Sequence, residues 1–288
     1  MEPETETKPA NSLVIGATGL VGGYIVQNLV RGGERPLALS RSPPSVAGVD
    51  WLRGDLREPE RWRFPPFVTL YCAANALLLP AALPYLLNSS LKRLVVFSST
   101  SVLTKRDSEI LAEREMHRNL SRAEQDIAAI CEQNKVGWTI LRPTLIYAEG
   151  RDRNITPLSR LIRRFGFMPV VGGGPGLRQP VHAEDLAIGA ISAAASASAI
   201  DKTYALPGGE TLSYREMMGR IFDGLRLPRR TVAIPHFFWR AVFFVANPLF
   251  PGANAAMGMR MTQDMVFDSA PAARDFGWKP RMFNPVFD

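Results

Sequence analysis

Cysteine is nearly absent from this chain, with two in 288 residues, Cys72 and Cys131. Neither sits in a disulfide or metal-ligand spacing. A disulfide scaffold and a thiolate metal site are therefore excluded, and both read as small apolar core residues in a reducing cytoplasm. No apolar run reaches the roughly 18 residues that a membrane span needs. No charged-then-apolar leader stands at the start, so a cytoplasmic location is expected. The chain also lacks an aromatic-interleaved basic stripe, which argues against a nucleic-acid partner. What it does carry is a net charge of +7, with local clusters at Arg160, Arg163, Arg164 and at Arg226, Arg229, Arg230. These read either as a solvated basic surface or as a field for an anionic ligand or an anionic membrane.

The composition, 46% hydrophobic and 21% charged, is that of a globular protein. Its length suits one large α/β domain, or one domain with a smaller lobe. The stretch Leu13-Val-Ile-Gly16-Ala-Thr18-Gly19-Leu20-Val21-Gly22 organises the rest. A β-branched apolar run reads as a buried strand, and a helix follows to about Val30. Three glycines at G-x-x-G-x-x-G mark the turn between them. Gly16 supplies a backbone conformation closed to other residues, Gly19 lets a phosphate approach, and Gly22 lets helix and strand pack closely. Free amides and the positive dipole end at the helix start complete a dinucleotide site.

The second strand, Leu37–Ser40, runs into Arg41 and Ser42. No acid stands there to bond a ribose 2′-hydroxyl, and an arginine is placed to pair with a 2′-phosphate, so NADP is expected over NAD. Strands follow at Val49–Arg53, Val68–Ala74, Leu91–Phe97 and Val136–Ile146, with helices at Leu77–Leu87 and Ser108–Asn134. Ser98-Ser99-Thr100-Ser101 put four hydroxyls where open parallel sheets place their chemistry. This alternation predicts an α/β, Rossmann-type doubly wound parallel sheet with a small C-terminal α+β substrate lobe. Residues 1–11 read as a disordered tail, 12–150 as the dinucleotide-binding domain and 151–288 as the lobe, with the Ala-rich helix 183–197 returning to the sheet. Phe237-Phe238-Trp239 through Val245 is apolar and aromatic but too short to span a bilayer. It reads as a buried helix of the lobe, or as a surface helix meeting a membrane, a lipid-linked substrate or a second subunit.

Several of these segments together resemble the short-chain dehydrogenase/reductase superfamily in its extended or atypical, epimerase/dehydratase-like branch. Gly16 to Gly22 is similar to that branch's cofactor loop, with Gly16, Thr18, Gly19, Leu20, Val21 and Gly22 as its contacts. Gly54-Asp55-Leu56 resembles the adenine-contacting segment, so Asp55 and Leu56 join the list. Cys72-Ala73-Ala74 resembles the small-residue wall. Phe97-Ser98-Ser99-Thr100 resembles the segment that ends in the catalytic Ser or Thr, with Thr100 in that place. Leu141-Arg142-Pro143-Thr144 resembles the strand-six signature at the nicotinamide end. Gln179-Pro180-Val181-His182 resembles the segment before the returning helix, and the resemblance implies substrate contacts at Arg178 and His182. It also implies an NAD(P) cofactor, a nucleotide-linked sugar or similar hydroxyl or carbonyl substrate, no metal, and a homodimer.

The superfamily's Tyr-x-x-x-Lys pair is missing. None of the six tyrosines has a lysine four residues on. Aligned by register, Arg122 takes the lysine's place, Asp126 the acidic position after it, and Arg118 the tyrosine's. Arg122 could hold a ribose or phosphate, but guanidinium does not shuttle a proton. The adjacent His117 reads either as the proton-moving group or as an exposed helix histidine. Two functions stay open at this point: an NAD(P)-dependent oxidoreductase, epimerase or dehydratase, and a non-catalytic NADP-binding structural, assembly or sensor protein.

Overall fold

The computed structural model describes residues 10–106, 108–235 and 260–287. Numbered along the chain, the first elements are β1 (Ala10–Ile15), α1 (Leu20–Arg31), β2 (Leu37–Ser40), β3 (Asp50–Arg53), β4 (Phe67–Cys72) and α2 (Leu79–Leu86). There follow β5 (Arg93–Phe97), α3 (Ser101–Thr104), α4 (Leu111–Gln133), β6 (Gly137–Pro143), β7 (Ile146–Tyr147), α5 (Thr156–Phe165), β8 (Met168–Val171), β9 (Leu177–Arg178) and β10 (Val181–His182). The last are α6 (Ala183–Ala195), β11 (Lys202–Leu206), β12 (Leu212–Ser213), α7 (Tyr214–Gly224), β13 (Thr231–Ile234) and α8 (Ala270–Phe276). The expected aromatic helix at 237–245 lies outside the described residues.

Two compact units divide the chain. The first is built from residues 1–143, 183–206 and 269–278. Its seven-stranded sheet has the order β11-β6-β5-β4-β1-β2-β3, and every pairing is parallel. Strands of a sheet covered on both faces are apolar throughout, and Leu37–Ser40 and Arg93–Phe97 are buried at every position. Leu13, Leu70, Leu94 and Ile140 form its centre with Leu79, Leu83 and Ile127 from α2 and α4. Arg93 ties the returning α6 to this sheet. Its Nη2 donates to the Ala193 carbonyl at 2.8 Å and to Thr139 Oγ1 at 3.0 Å, and its Nε to the Ala194 carbonyl at 3.2 Å. A cation thus closes the negative end of that helix. At the last strand, Asp275 of α8 accepts hydrogen bonds from Tyr204 Oη at 2.6 Å and Lys202 Nζ at 2.9 Å.

The second unit comprises residues 144–182, 207–268 and 279–288. Among its described residues it holds three two-stranded pairings, β10-β7, β12-β9 and β13-β8, and a core of Ile155, Ile162, Val170, Met218, Phe222 and Phe283. The buried Asp152 starts α5, accepting from the amides of Ile155 at 2.6 Å and Asn154 at 2.7 Å.

Two expected boundaries are corrected. The tail does not extend to residue 11, because β1 begins at Ala10, paired with Phe67 on β4. Backbone pairing carries the strand past the point where its side chains cease to be apolar. The lobe is not residues 151–288, because β11 pairs with β6 and α8 packs on β11 and α6 within the first unit.

Candidate functional site

The strand order reverses between β1 and β4, which stay paired to their C-terminal ends at Ile15 and Cys72. Such a switch point is where open α/β sheets hold ligands. A cavity of about 340 Å³ opens there. Gly16, Thr18 and Gly19 line it from the first turn, Ser40 and Arg41 from the end of β2, Asp55 and Leu56 from beyond β3, and Ala73 and Ala74 from beyond β4. Eight of the residues read from the sequence as cofactor contacts are therefore brought together: Gly16, Thr18, Gly19, Arg41, Asp55, Leu56, Ala73 and Ala74.

The glycines are demanded by close approach. Gly16 has φ +80°, and a Cβ there would lie 2.8 Å from the Ala73 carbonyl carbon. At Gly22 a Cβ would stand 2.1 Å from the Gly16 carbonyl oxygen, so the helix can descend onto the turn only without a side chain. Leu20 and Val21 lie in the first turn of α1 with Gly22 and supply backbone amides. No side chain caps this helix, and its first turn has no acid. An anion therefore meets uncapped amides and a positive dipole end with nothing to displace. These features fit the pyrophosphate of a dinucleotide.

The adenosine end is shaped by polar groups. Asp55 Oδ1 accepts the Arg57 amide at 3.0 Å, which fixes the carboxylate in a tight turn while it faces the cavity. Ser40 Oγ accepts the Ser42 amide at 3.2 Å, so Ser42 shapes this rim without lining the cavity. Arg41 is exposed and makes no ion pair with any described residue. Arg57, Asn75 and Leu78 also line the cavity, and sequence reasoning missed them. Asn75 had a signal, since its side chain accepts the Leu77 amide at 3.1 Å as helix-capping asparagines do.

The hydroxyls cluster at the end of β5. Thr100 is buried, and its Oγ1 donates to the Pro143 carbonyl at 3.1 Å. With its proton committed, that oxygen is left as an acceptor. Ser99 Oγ accepts the Ser101 amide at 3.1 Å. Ser98 Oγ is buried without a hydrogen-bond partner, an orphan that a ligand group would satisfy. Pro143 thus acts through its carbonyl.

Arg122 is not brought to the cavity. Its side chain is 83% exposed on α4 and pairs with Asp126 at 3.9 Å. The buried face of that helix holds Leu120, Ala123, Glu124 and Ile127 instead. Glu124 is clamped by Arg142 of β6, whose Nε donates to Oε1 at 3.0 Å and whose Nη2 donates to Oε2. His117 is half-buried two turns earlier, and its Nδ1 is buried without a partner among the described residues.

Thr144, Arg178 and His182 belong to the second unit. Thr144 Oγ1 donates to the Gln179 carbonyl. Arg178 is buried, and its guanidinium donates to the carbonyls of Leu177, Arg260 and Gln263, so it works as a clamp on the 260–263 segment. Burial pushes its pKa down from the usual arginine value. His182 Nε2 lies 3.4 Å from Glu149 Oε2, with the Tyr147 ring edge-on at 5.1 Å. Burial pushes the Glu149 carboxyl up, but hydrogen bonds from His182 and the backbone outweigh it and hold it below the usual range.

Comparison with known proteins supplies the setting. No family model matches the chain. The subunit 9 of the NADH dehydrogenase (ubiquinone) 1 alpha subcomplex of Arabidopsis thaliana mitochondria is 26% identical over 245 residues, 77% of this chain. The chain spans 60% of that protein's length. UDP-glucose 4-epimerase of Vibrio cholerae is 22% identical, with 94% of this chain and 91% of the enzyme covered. Among solved structures, MoeE5 in complex with UDP-glucuronic acid and NAD superposes with a TM-score of 0.71 at 19% identity, over 95% of this chain and 94% of its own. These are epimerase/dehydratase-like proteins of the short-chain dehydrogenase/reductase superfamily. The likeness to MoeE5 shows the fold, and α4 carries no Tyr-x-x-x-Lys pair.

Proposed function

We propose that this chain binds NADP(H) in the cavity at the β1/β4 switch point and uses it on a hydroxyl or carbonyl group of a nucleotide-linked sugar or similar substrate. One observation carries the reading: a glycine turn and an uncapped helix start share a cavity with an arginine that pairs with no described residue and an orienting aspartate. Gly16 and Gly19 would cradle the pyrophosphate with the amides of Leu20 to Gly22, and Asp55 the adenine. Arg41 would hold the ribose 2′-phosphate, with no acid on the β2 end to repel it. When bound, the nicotinamide gives or takes a hydride. The kinship with UDP-glucose 4-epimerase and the fold shared with MoeE5 support the substrate class.

Thr100 would accept a hydrogen bond from the substrate hydroxyl, and the orphaned Ser98 Oγ would donate one. Proton transfer needs a group other than tyrosine. The arginines at 118 and 122 cannot serve. His117, with an unpartnered ring nitrogen on the partly buried side of α4, would carry the proton. Element α3, which follows Thr100 directly, packs along α4 and keeps the two segments together.

Titration calorimetry with NADPH and NADH tests the cofactor reading. Arg41→Ala should weaken NADPH by about tenfold or more, as expected for one charge-assisted contact, and leave NADH nearly unchanged. Equal losses would remove the NADP preference. Isotope exchange between labelled NADPH and a panel of nucleotide sugars tests the chemistry, with His117→Gln and Thr100→Ala each lowering exchange by about a hundredfold. Tight cofactor binding with no exchange from any substrate would replace this proposal with the non-catalytic one.

A further inference from the structure

The second unit carries a surface that the cofactor site does not use. Helix α5 turns Thr156, Ser159 and Ile162 into its core. Its other side sets Arg160, Arg163 and Arg164 into solvent. Gly166, at φ +72°, then stops the helix. The residues on either side of that stop are phenylalanines, and neither is buried: Phe165 is 39% exposed and Phe167 45%. The Arg164 guanidinium lies 5.3 Å from the Phe165 ring centroid. Strand β13 runs parallel beside β8, and the Met168 amide donates to the Arg230 carbonyl at 2.9 Å. That bond seats the exposed Arg230 next to Phe167, and Val232, two residues on, is 51% exposed.

The acids of α7, the helix packed on α5, are engaged elsewhere. Asp223 and Glu216 bind Arg229, at 2.5 Å and 2.9 Å. Arg160, Arg164 and Arg230 make no ion pair among the described residues. The patch therefore joins uncompensated guanidinium groups to exposed rings and an aliphatic side chain. Water solvates the arginines well and the phenylalanines poorly. One surface satisfies both together: an anionic headgroup layer over hydrocarbon, in which rings sink to the acyl boundary while arginines remain among phosphates. A single-stranded nucleic acid would also pair with arginine and stack on phenylalanine. Val232 offers it nothing to stack on, whereas hydrocarbon accepts an aliphatic side chain.

We infer that the α5–β8–β13 surface, made of Arg160, Arg164, Phe165, Phe167, Arg230 and Val232, docks the protein peripherally on anionic lipid bilayers. Docking through guanidinium groups on anionic headgroups is weakened by salt. This inference is independent of the cofactor reading, and its test does not involve cofactor or turnover.

Sedimentation of the full chain with extruded vesicles tests it. The chain should pellet with phosphatidylcholine vesicles containing phosphatidylglycerol, stay in solution with phosphatidylcholine alone, and be released by about 0.5 M salt. The triple variant R160Q/R164Q/R230Q and the double variant F165S/F167S should each lower binding about tenfold or more, with circular dichroism and Tm unchanged. Parent-like binding by both variants would overturn the inference. So would loss of binding on charged substitution at Phe243 and Phe244 alone, because docking would then belong to the 237–245 stretch. No pelleting with anionic vesicles, coupled with binding of a single-stranded oligonucleotide that the triple variant loses, would assign the patch to nucleic acid instead.

Discussion

At the scale of single residues, the site rests on positions where an atom too many is fatal. Gly22 is the sharpest of them. A methyl group there would stand 2.1 Å from the Gly16 carbonyl oxygen, well inside contact distance. Gly22→Ala should destabilise the protein by about 3 kcal/mol, read as a fall in Tm, and should abolish calorimetric NADPH binding. The Gly32→Ala variant meets its nearest atoms only at 3.3 Å. It should leave cofactor binding intact and serves as the control. Requirements of this kind are legible in a sequence because they are local: a strand, a glycine turn and a helix within ten residues leave few alternatives. Arg57, Asn75 and Leu78 were not legible in the same way. They reach the cavity only because β3 and β4 flank β2 and β1 in the folded sheet, and no spacing along the chain encodes that adjacency. Arg122 illustrates the opposite error. A register fitted to a missing motif predicted a contact, yet helical geometry turns that position outward, while Glu124, two residues on, is buried against Arg142.

At the scale of elements, polar clamps fix the outermost strand and the helices around it. Asp275 on α8 gathers the Tyr204 hydroxyl and the Lys202 ammonium, both on β11. Those hydrogen bonds, Tyr204 first and Lys202 next, hold its carboxyl at about 2, against an ordinary 3.8. A carboxyl whose folded-state value is depressed stabilises the fold above its unfolded value and loses that contribution as pH falls toward the folded one. The parent protein should therefore lose Tm between about pH 4 and about pH 2 more steeply than Asp275→Asn, which has no proton to take up at that position. Parallel slopes for the two proteins in thermal melts would show that the clamp does not couple to folding. None of this was visible in the residues alone. The partners of Asp275 lie 71 and 73 residues earlier in the chain. The alternation of strands and helices was visible through β6, because each strand there pairs with a neighbour one crossover away or returns beside β1.

At the scale of the whole chain, the two units are interleaved. The first takes its last strand from residues 202–206 and a helix from 270–276, both beyond segments given to the second unit. The change in rhythm set a boundary near residue 150 and left the Ala-rich helix 183–197 returning to the sheet; α6, Ala183–Ala195, lies in the first unit. That reading did not assign β11 or α8 to the sheet, because strand pairing at that range has no trace in periodicity. Charge also belongs to this scale. Much of the +7 balance can spread over solvent. On α5 and beside β8 it is concentrated with exposed rings, and only that arrangement gives the excess a destination.

The interleaving has a consequence for how the protein is made. Arg93 is a sheet residue whose guanidinium is answered by carbonyls at 193 and 194, a hundred residues downstream. While the chain emerges from the ribosome, β5 and β6 are complete long before those carbonyls exist. Until then a cation destined for the interior has no helix end to close, and the open edge of β6 has no β11 to cover it. The dinucleotide half is thus synthesised first but finished late. The nascent protein carries a bare sheet edge through the whole interval in which residues 144–201 are added, and that interval is when a chaperone, or a neighbouring nascent chain, would find it.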